Sequence, residues 1–321
     1  MTRLAPVVAV VMPVRNEAEN LESSVSAVLS QKFAGQLEVC LAVGPSLDET
    51  AEIARRLTVE DGRVHVVENP TGLTPSGLNA AIRATSAPVV VRVDGHSELC
   101  DGYIARALET LERTGAVNVG GIQEPRGQTP FEVAVGRAMS SHFGVGNSRF
   151  HFEGAEGAVD TVYLGVFRRV EIEAVGLFDE SLVRNQDYEL NWRLRSAGGI
   201  VWFDPALRVA YRPRGTLRAL ARQFFEFGQW KRRVVGLHPR SIRWRQVVPP
   251  VVTLAVLLGT LLSVVRPAFL VLPLTYLGAV TVASMISGRS LSEVLRLLGV
   301  FPTMHLAWGV GFLVAARTRR Q

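Results

Sequence analysis

The chain has 321 residues, 48% of them hydrophobic, and a formal net charge of +6. That length allows one large domain or two smaller ones. The two cysteines, Cys40 and Cys100, exclude a disulfide framework and read as buried small hydrophobes in a reducing compartment.

Strands and helices alternate from the start. Met1 to Pro13 is apolar but short, and it lacks a basic leading region, so it reads as a buried first strand rather than a secretory signal. Val7 to Val14 is a continuous valine-rich run, as a strand covered on both faces should be. An amphipathic helix over Asn16 to Ser30 follows, with Leu21, Val25, Val28 and Leu29 turned inward. Next come a strand at Leu37 to Val43, a helix at Asp48 to Leu57 and a strand at Val64 to Val67. A helix at Pro75 to Thr85, with proline in its first turn, leads to a fourth strand at Val89 to Val93. Repeated βα units predict an α/β fold with a mostly parallel sheet and helices on both faces. Ligands of such sheets bind beyond the carboxyl ends of the strands, where Arg15, Asn16, Glu17, Ser46, Asp48, Asn69, Asp94 and His96 stand.

The middle of the chain is more mixed. Asp160 to Phe167 reads as a strand, as do Gly198 to Asp204 and Leu207 to Tyr211. Between them, Arg184 to Arg195 reads as a helix in which Asn185 can cap and Leu190 and Leu194 repeat at helical spacing. Asp187 then sits in the first turn, where backbone N–H groups and the dipole favour a carboxylate that can act as a general base. Leu217 to Val235 is a long amphipathic helix with a basic face.

Charge is unevenly placed. Almost every basic residue is arginine, and the segment from Arg212 to Arg245 holds ten basic residues against the single acid Glu226. Nucleic acid could use such a patch. The next segment argues for a membrane surface instead. Val247 to Val265 and Ala268 to Ser287 carry no charge, and each would rise about 28–30 Å as a helix, the thickness of a bilayer core. Arg266 and Pro267 alone separate them, which predicts a tight hairpin. Basic residues before the first span put that side in the cytoplasm. A third stretch, Leu297 to Ala316, carries Pro302 and His305. If it crosses, Arg317, Arg319 and Arg320 fall outside, against the charge rule, so a spanning and a re-entrant course are both open. The expected division is therefore a cytoplasmic catalytic domain over 1–245, ending in a basic interfacial helix, and a membrane domain over 246–321.

Two strand-end segments carry candidate chemistry. In Asp94-Gly95-His96, a carboxylate and an imidazole flank a glycine that lets a ligand approach the backbone. The triplet could hold a divalent cation beside a diphosphate, or Asp94 could satisfy strand-end N–H groups. Pro13-Val14-Arg15-Asn16-Glu17 could contact a nucleotide, or form a plain capped helix start. No G-x-G-x-x-G follows the first strand and there is no Walker sequence, which disfavours a dinucleotide dehydrogenase and a P-loop enzyme, and no nucleophile motif such as G-x-S-x-G appears.

Taken in order, these segments resemble the family 2 glycosyltransferases, which have the GT-A fold. The resemblance spans roughly Val7 to Arg245. It rests on Pro13-Val14-Arg15-Asn16-Glu17, Ser46-Leu47-Asp48-Glu49-Thr50, Asp94-Gly95-His96, Gly165-Val166-Phe167-Arg168-Arg169, Gly176-Leu177-Phe178-Asp179-Glu180 and Asp187-Tyr188-Glu189-Leu190. Gly228-Gln229-Trp230-Lys231 in a basic stretch, followed by apolar spans, is similar to the membrane-attached bacterial subset that builds exopolysaccharides of the succinoglycan type. The resemblance implies a nucleotide-sugar donor, usually UDP-linked, held by Pro13, Arg15, Asn16, Glu17, Asp48 and Asp94. It implies Mn2+ or Mg2+ at Asp94 and His96, and Asp187 as the base of an inverting displacement. Gln186, Gln229, Trp230 and Lys231 would lie near the acceptor and the diphosphate. The implied partners are the donor, a lipid-linked or glycan acceptor and the cytoplasmic membrane, with no nucleic acid.

The chain departs from that family at several positions. Val43 and Gly44 stand where paired aspartates are usual, His96 replaces the second metal aspartate, and Gln186 replaces the glutamate before the base. No arginine precedes Trp230, which favours addition of one sugar over processive synthesis. A membrane-anchored GT-A scaffold without catalysis is the rival reading. A nucleotidyltransferase would need a glycine-rich basic loop after the first strand, and the chain has none.

Overall fold

A computed structural model describes residues 7–314; the arginines at 317, 319 and 320 lie outside the described residues. The chain divides into two compact units. The first comprises the residues up to Glu124 together with Glu153–Tyr211, and the second comprises Pro125–Phe152 and the chain from Arg212 onward.

The first unit is built on a nine-stranded sheet. Its strands are β1 (Val7–Val14), β2 (Gln36–Val43), β3 (Val64–Glu68), β4 (Val89–Arg92), β5 (Glu98–Leu99), β6 (Asn118–Pro125), β7 (Gly157–Ala158), β8 (Val166–Arg168) and β9 (Val201–Tyr211). The order is β3-β2-β1-β4-β8-β6-β9-β5, with β7 paired to β9. Its helices are α1 (Leu21–Leu29), α2 (Thr50–Glu60), α3 (Thr74–Arg83) and α4 (Tyr103–Thr114), then α7 (Arg169–Ala174) and α8 (Gln186–Ser196). The second unit supplies α5 (Pro130–Met139) and α6 (His142–Val145) between them, and the long helices after them.

The valine runs are two-faced because side chains alternate along a strand. Val8, Val10, Met12 and Val14 of β1 pack with Leu21, Val25 and Val28 of α1, Ile53 and Leu57 of α2, and Ile104 and Leu111 of α4. Val11, Cys40 and Val90 face the opposite core with Leu78 and Ile82 of α3, Ile172 of α7 and Leu190 and Leu194 of α8. Helices therefore cover both faces, as the continuous apolar strands require.

The sheet is mixed, and two local strand expectations are corrected. The run β3-β2-β1-β4 is parallel; β8 pairs antiparallel with both β4 and β6, so β6 runs in the direction of β4, and β5 and β7 pair antiparallel with β9. The strand expected over Asp160 to Phe167 shrinks to Val166–Arg168. Leu164 and Gly165 have φ of 57° and 122°, values that no extended ladder accommodates. Gly198 to Asp204 and Leu207 to Tyr211 form one strand, β9, not two. The Asp204 carboxylate accepts the Ala206 N–H at 3.0 Å and carries the backbone past Pro205.

In the second unit, α9 (Leu217–Leu237), α10 (Trp244–Leu262), α11 (Val271–Ser287) and α12 (Leu291–Leu313) are long. Pro239–Ser241 and Pro267–Leu270 form single 3-10 turns before α10 and α11. The segments Trp244–Leu262, Pro267–Ser287 and Leu291–Leu313 are each long and apolar enough to cross a membrane. The third is one uninterrupted helix that passes through Pro302. Close helix approach rests on small residues: a Cβ on Gly228 would lie 2.1 Å from the Trp308 carbonyl oxygen, and one on Gly311 equally close to that of Phe225. The amphipathic α9 is thus seated directly on α12.

Candidate active site

The carboxyl ends of β1, β2 and β4 gather most of the expected residues. At the end of β1, Asn16 takes a left-handed conformation (φ 54°). Its N–H donates to the Ser46 hydroxyl at 3.1 Å, and its side-chain oxygen accepts the Leu47 N–H at 2.8 Å. Arg15 Nε donates to the Pro45 carbonyl at 3.2 Å. Glu17 N–H donates to the Thr50 hydroxyl at 2.8 Å, and that hydroxyl donates to Asp48 Oδ1 at 2.5 Å. Asp48 Oδ2 accepts the Ala18 N–H at 3.1 Å. The Thr50 hydroxyl bond, helped by the Ala18 and Thr50 N–H groups against a smaller burial effect, holds the Asp48 pKa below the usual carboxylate value. Two loops 30 residues apart are thereby stitched into one polar rim. Pro13 lies within β1, opposite Ala42 of β2.

At the end of β4, His96 Nδ1 lies 2.8 Å from Glu17 Oε1. In the neutral tautomer that donates to Glu17, the lone pair is on Nε2, the arrangement by which carboxylates orient metal-binding imidazoles. The space beside Gly95 is taken by Glu17 and Val14: an added Cβ would lie 2.9 Å from Glu17 Cγ, so the missing side chain admits protein rather than ligand there.

The feature that sequence reasoning missed is Arg92. Its side chain is only 4% exposed, whereas those of Asp94 and Asp187 keep 21% and 26%. Nε and Nη2 donate to Asp94 Oδ1 at 3.1 and 2.9 Å, and Nη1 donates to Asp187 Oδ1. One guanidinium therefore joins the two carboxylates that the sequence singled out, from positions 93 apart. A ligand can reach both acids but not the arginine behind them. Burial pushes the Asp94 carboxyl up, but the charges of Arg92, His96 and Arg184 and the Arg92 hydrogen bonds outweigh it, so its pKa falls below the usual value. The phenol of Tyr163, 3.4 Å from the Ser97 hydroxyl, is pushed up to about 12 by burial and by the Asp94 charge, so it stays a neutral donor beside them.

Asp187 lies in the first turn of α8, as expected. Asn185 is the N-cap residue, but it sits at φ 60° and makes no side-chain capping bond, contrary to the sequence expectation. The helix is held at its flank instead. Arg193 donates twice to the buried Glu189 carboxylate at 2.7 Å, and to the Leu177 carbonyl at 2.6 Å. Asn79 of α3 accepts the Phe178 N–H at 3.0 Å and donates to the Phe178 carbonyl at 2.9 Å and to Glu180 Oε1 at 2.8 Å. The Gly176-to-Glu180 segment thus fastens α8, which carries Asp187, to α3. Gln186 is buried, and Gln229, Trp230 and Lys231 lie on α9 of the second unit.

Both Arg92 bonds to Asp94 fall on Oδ1, which leaves Oδ2 for a cation. Among the described residues no three His, Cys, Asp or Glu side chains form a cluster that could hold a metal alone. Carboxylate oxygen and imidazole nitrogen nevertheless suit a divalent ion whose remaining ligands come from diphosphate and water.

The nine-stranded sheet covered on both faces, with carboxylates and an imidazole at its strand ends, has the architecture of the GT-A fold. Residues 9–170 match the family model "Glycosyl transferase family 2", and the chain belongs to that family. It is 31% identical over 310 residues to "Succinoglycan biosynthesis protein ExoA" of Rhizobium meliloti (strain 1021), covering 94% of this chain and 93% of that one. It is 33% identical over 137 residues to "Glycosyltransferase AglE" of Haloferax volcanii, covering 41% of this chain and 45% of that one. Among solved structures, the mannosyltransferase PcManGT of Pyrobaculum calidifontis, in complex with GDP-Man and Mn2+, shares the fold with a TM-score of 0.62 at 17% identity, over 97% of this chain and 88% of that one. GalNAc-T7 with UDP, GalNAc and Mn2+ gives a TM-score of 0.52 at 14% identity, over 75% of this chain and 52% of that one.

Proposed function

We propose that this glycosyltransferase moves one sugar from a nucleotide-sugar donor to a membrane-associated acceptor, with inversion at the anomeric carbon, in exopolysaccharide synthesis. The observation that carries the reading is the Arg92 bridge, which sets a candidate base and a candidate diphosphate-side carboxylate on one guanidinium. The rim formed by Arg15, Asn16, Glu17, Ser46 and Asp48 would receive the nucleotide, with Pro13 behind it. ExoA, by its name a succinoglycan biosynthesis protein, and two neighbours bound to UDP or GDP-Man support the donor class and the pathway class.

Asp94 and His96 would hold a divalent cation, Mn2+ or Mg2+, which supplies charge neutralisation for the departing diphosphate. Asp187 accepts the proton of the acceptor hydroxyl. The hydroxyl oxygen then bonds to the anomeric carbon as the bond from that carbon to the diphosphate oxygen breaks, with the electron pair leaving on the diphosphate. Attack opposite the leaving group inverts the carbon.

The basic α9 and the three apolar helices argue for an acceptor at a lipid headgroup layer. The arginines before α10 favour a cytoplasmic side for that end of the chain. Thermal unfolding of the purified full chain with a panel of nucleotide sugars, each with Mn2+ or Mg2+, tests the reading. A true donor at about 100 times its Kd stabilises by about 2.7 kcal/mol and so stands out from the panel. No shift with any donor, together with no turnover, would favour a scaffold without catalysis.

A further inference from the structure

Position 92 is an anomaly in its strand. Val90 of β4 faces the core shared with α3 and α8, and Val91 and Val93 face the other core. By strand alternation Arg92 points into the same side as Val90, where a valine would pack. A buried cation is costly unless it is paired and its protons are accepted. Arg92 meets that cost with two carboxylates from separate elements.

Resting on the proposed sugar transfer, we propose that Arg92 is a positioning residue for the reaction: it fixes Asp187 relative to Asp94, so that the base and the diphosphate-side carboxylate keep one spacing. The guanidinium does this with two separate edges, Nη1 toward Asp187 and Nε with Nη2 toward Asp94. A planar fork has those edges at a fixed angle; an ammonium is a single point on a flexible stem. The frame is itself anchored. Arg92 stands in register with Val11 of β1, and its N–H donates to the Gly165 carbonyl at 3.0 Å. Gly165 has φ 122°, and an added Cβ there would lie 2.5 Å from Phe167 Cζ and 2.7 Å from Asn118 Oδ1. The arginine is therefore set from the sheet side, independently of α8, and α8 is registered against it.

The test compares Arg92→Lys, Arg92→Gln, Asp187→Asn and the double variant Arg92→Lys/Asp187→Asn in the full chain, with kcat, donor KM and melting temperature measured for each. Arg92→Lys is expected to fold and to bind donor with KM within about threefold of the parent, while kcat falls about a hundredfold, the loss that a small misplacement of a reacting group produces. The double variant is expected to be no slower than Asp187→Asn alone, because the arginine acts through that carboxylate. Full kcat in Arg92→Lys beside a slow Asp187→Asn would overturn the positioning role and leave the sugar-transfer reading standing. A double variant that loses a further hundredfold would also overturn it, as would failure of both Arg92 variants to fold; each marks a structural ion pair. Wild-type turnover by Asp187→Asn would remove the base assignment and the inference with it.

Discussion

Gly165→Ala tests whether the geometry behind the two carboxylates is as tight as it looks. Gly165 sits at φ 122° between Leu164 and β8, and its carbonyl accepts the Arg92 N–H at 3.0 Å. A methyl group there meets Phe167 Cζ at 2.5 Å and Asn118 Oδ1 at 2.7 Å, and both neighbours are buried. The backbone conformation costs a non-glycine residue about 1–3 kcal/mol. Forcing a methyl into a filled core adds about 1–3 kcal/mol more. The expected loss is therefore about 2–6 kcal/mol, or about 4–24 °C in melting temperature at about 2–4 °C per kcal/mol. Gly115→Ala is the control. It has φ 67° but no atom within 4 Å of the added Cβ, so only the backbone cost applies. Thermal unfolding followed by circular dichroism should place Gly165→Ala below Gly115→Ala. Equal losses, or no loss at Gly165, would refute the packing account of this turn and of the arginine it anchors.

Other consequences can be checked separately. Glu17→Gln should raise the metal concentration for half-maximal turnover by about 10–100-fold, since oriented imidazoles lose that much without their carboxylate. An unchanged metal requirement would mean that the Glu17–His96 contact does not serve metal binding. Asn79→Ala leaves the Phe178 N–H and carbonyl without their side-chain partner, and should cost about 1–3 kcal/mol of stability in urea unfolding. Glu132 caps α5 and accepts from Arg212 at 2.8 Å. Burial raises its pKa, but the Gln128 and Thr129 N–H groups and Arg212 more than offset this, so the folded pKa lies below the ordinary 4.5. The stabilisation is thus full above about pH 4.5 and is lost as pH falls through the lower folded value. Acid titration of unfolding should show that loss, and Glu132→Gln should remove it.

The parallel half of the sheet was legible because its strands are uninterrupted valine runs, which only a doubly covered sheet explains. β1, β2 and β4 carry Asp48, Asp94 and His96 on their outgoing loops, so that edge could be placed from sequence. The antiparallel strands were harder. β5 and β7 have two residues each and β8 has three, too short for any periodicity. The course through Leu164 and Gly165 is set by left-handed backbone, which a glycine hints at and a leucine conceals. Asn185 was a capping residue by type, but its left-handed backbone goes with no side-chain capping bond. Arg92 left a readable trace, a charge inside Val89-Val90-Val91-Arg92-Val93, two residues before the aspartate. A buried strand tolerates such a residue only if acids wait for it, and the candidates were the acids already singled out.

The central claim is that Asp187 takes the acceptor's proton while the Asp94 side of the site holds the donor. Transfer of labelled sugar from the donor found by thermal shift into a membrane lipid extract, compared between the parent and Asp187→Asn at matched donor affinity, tests it most directly. The account predicts a fall of about 10²–10⁴-fold in turnover with donor binding retained. Parent-level transfer by Asp187→Asn would contradict it.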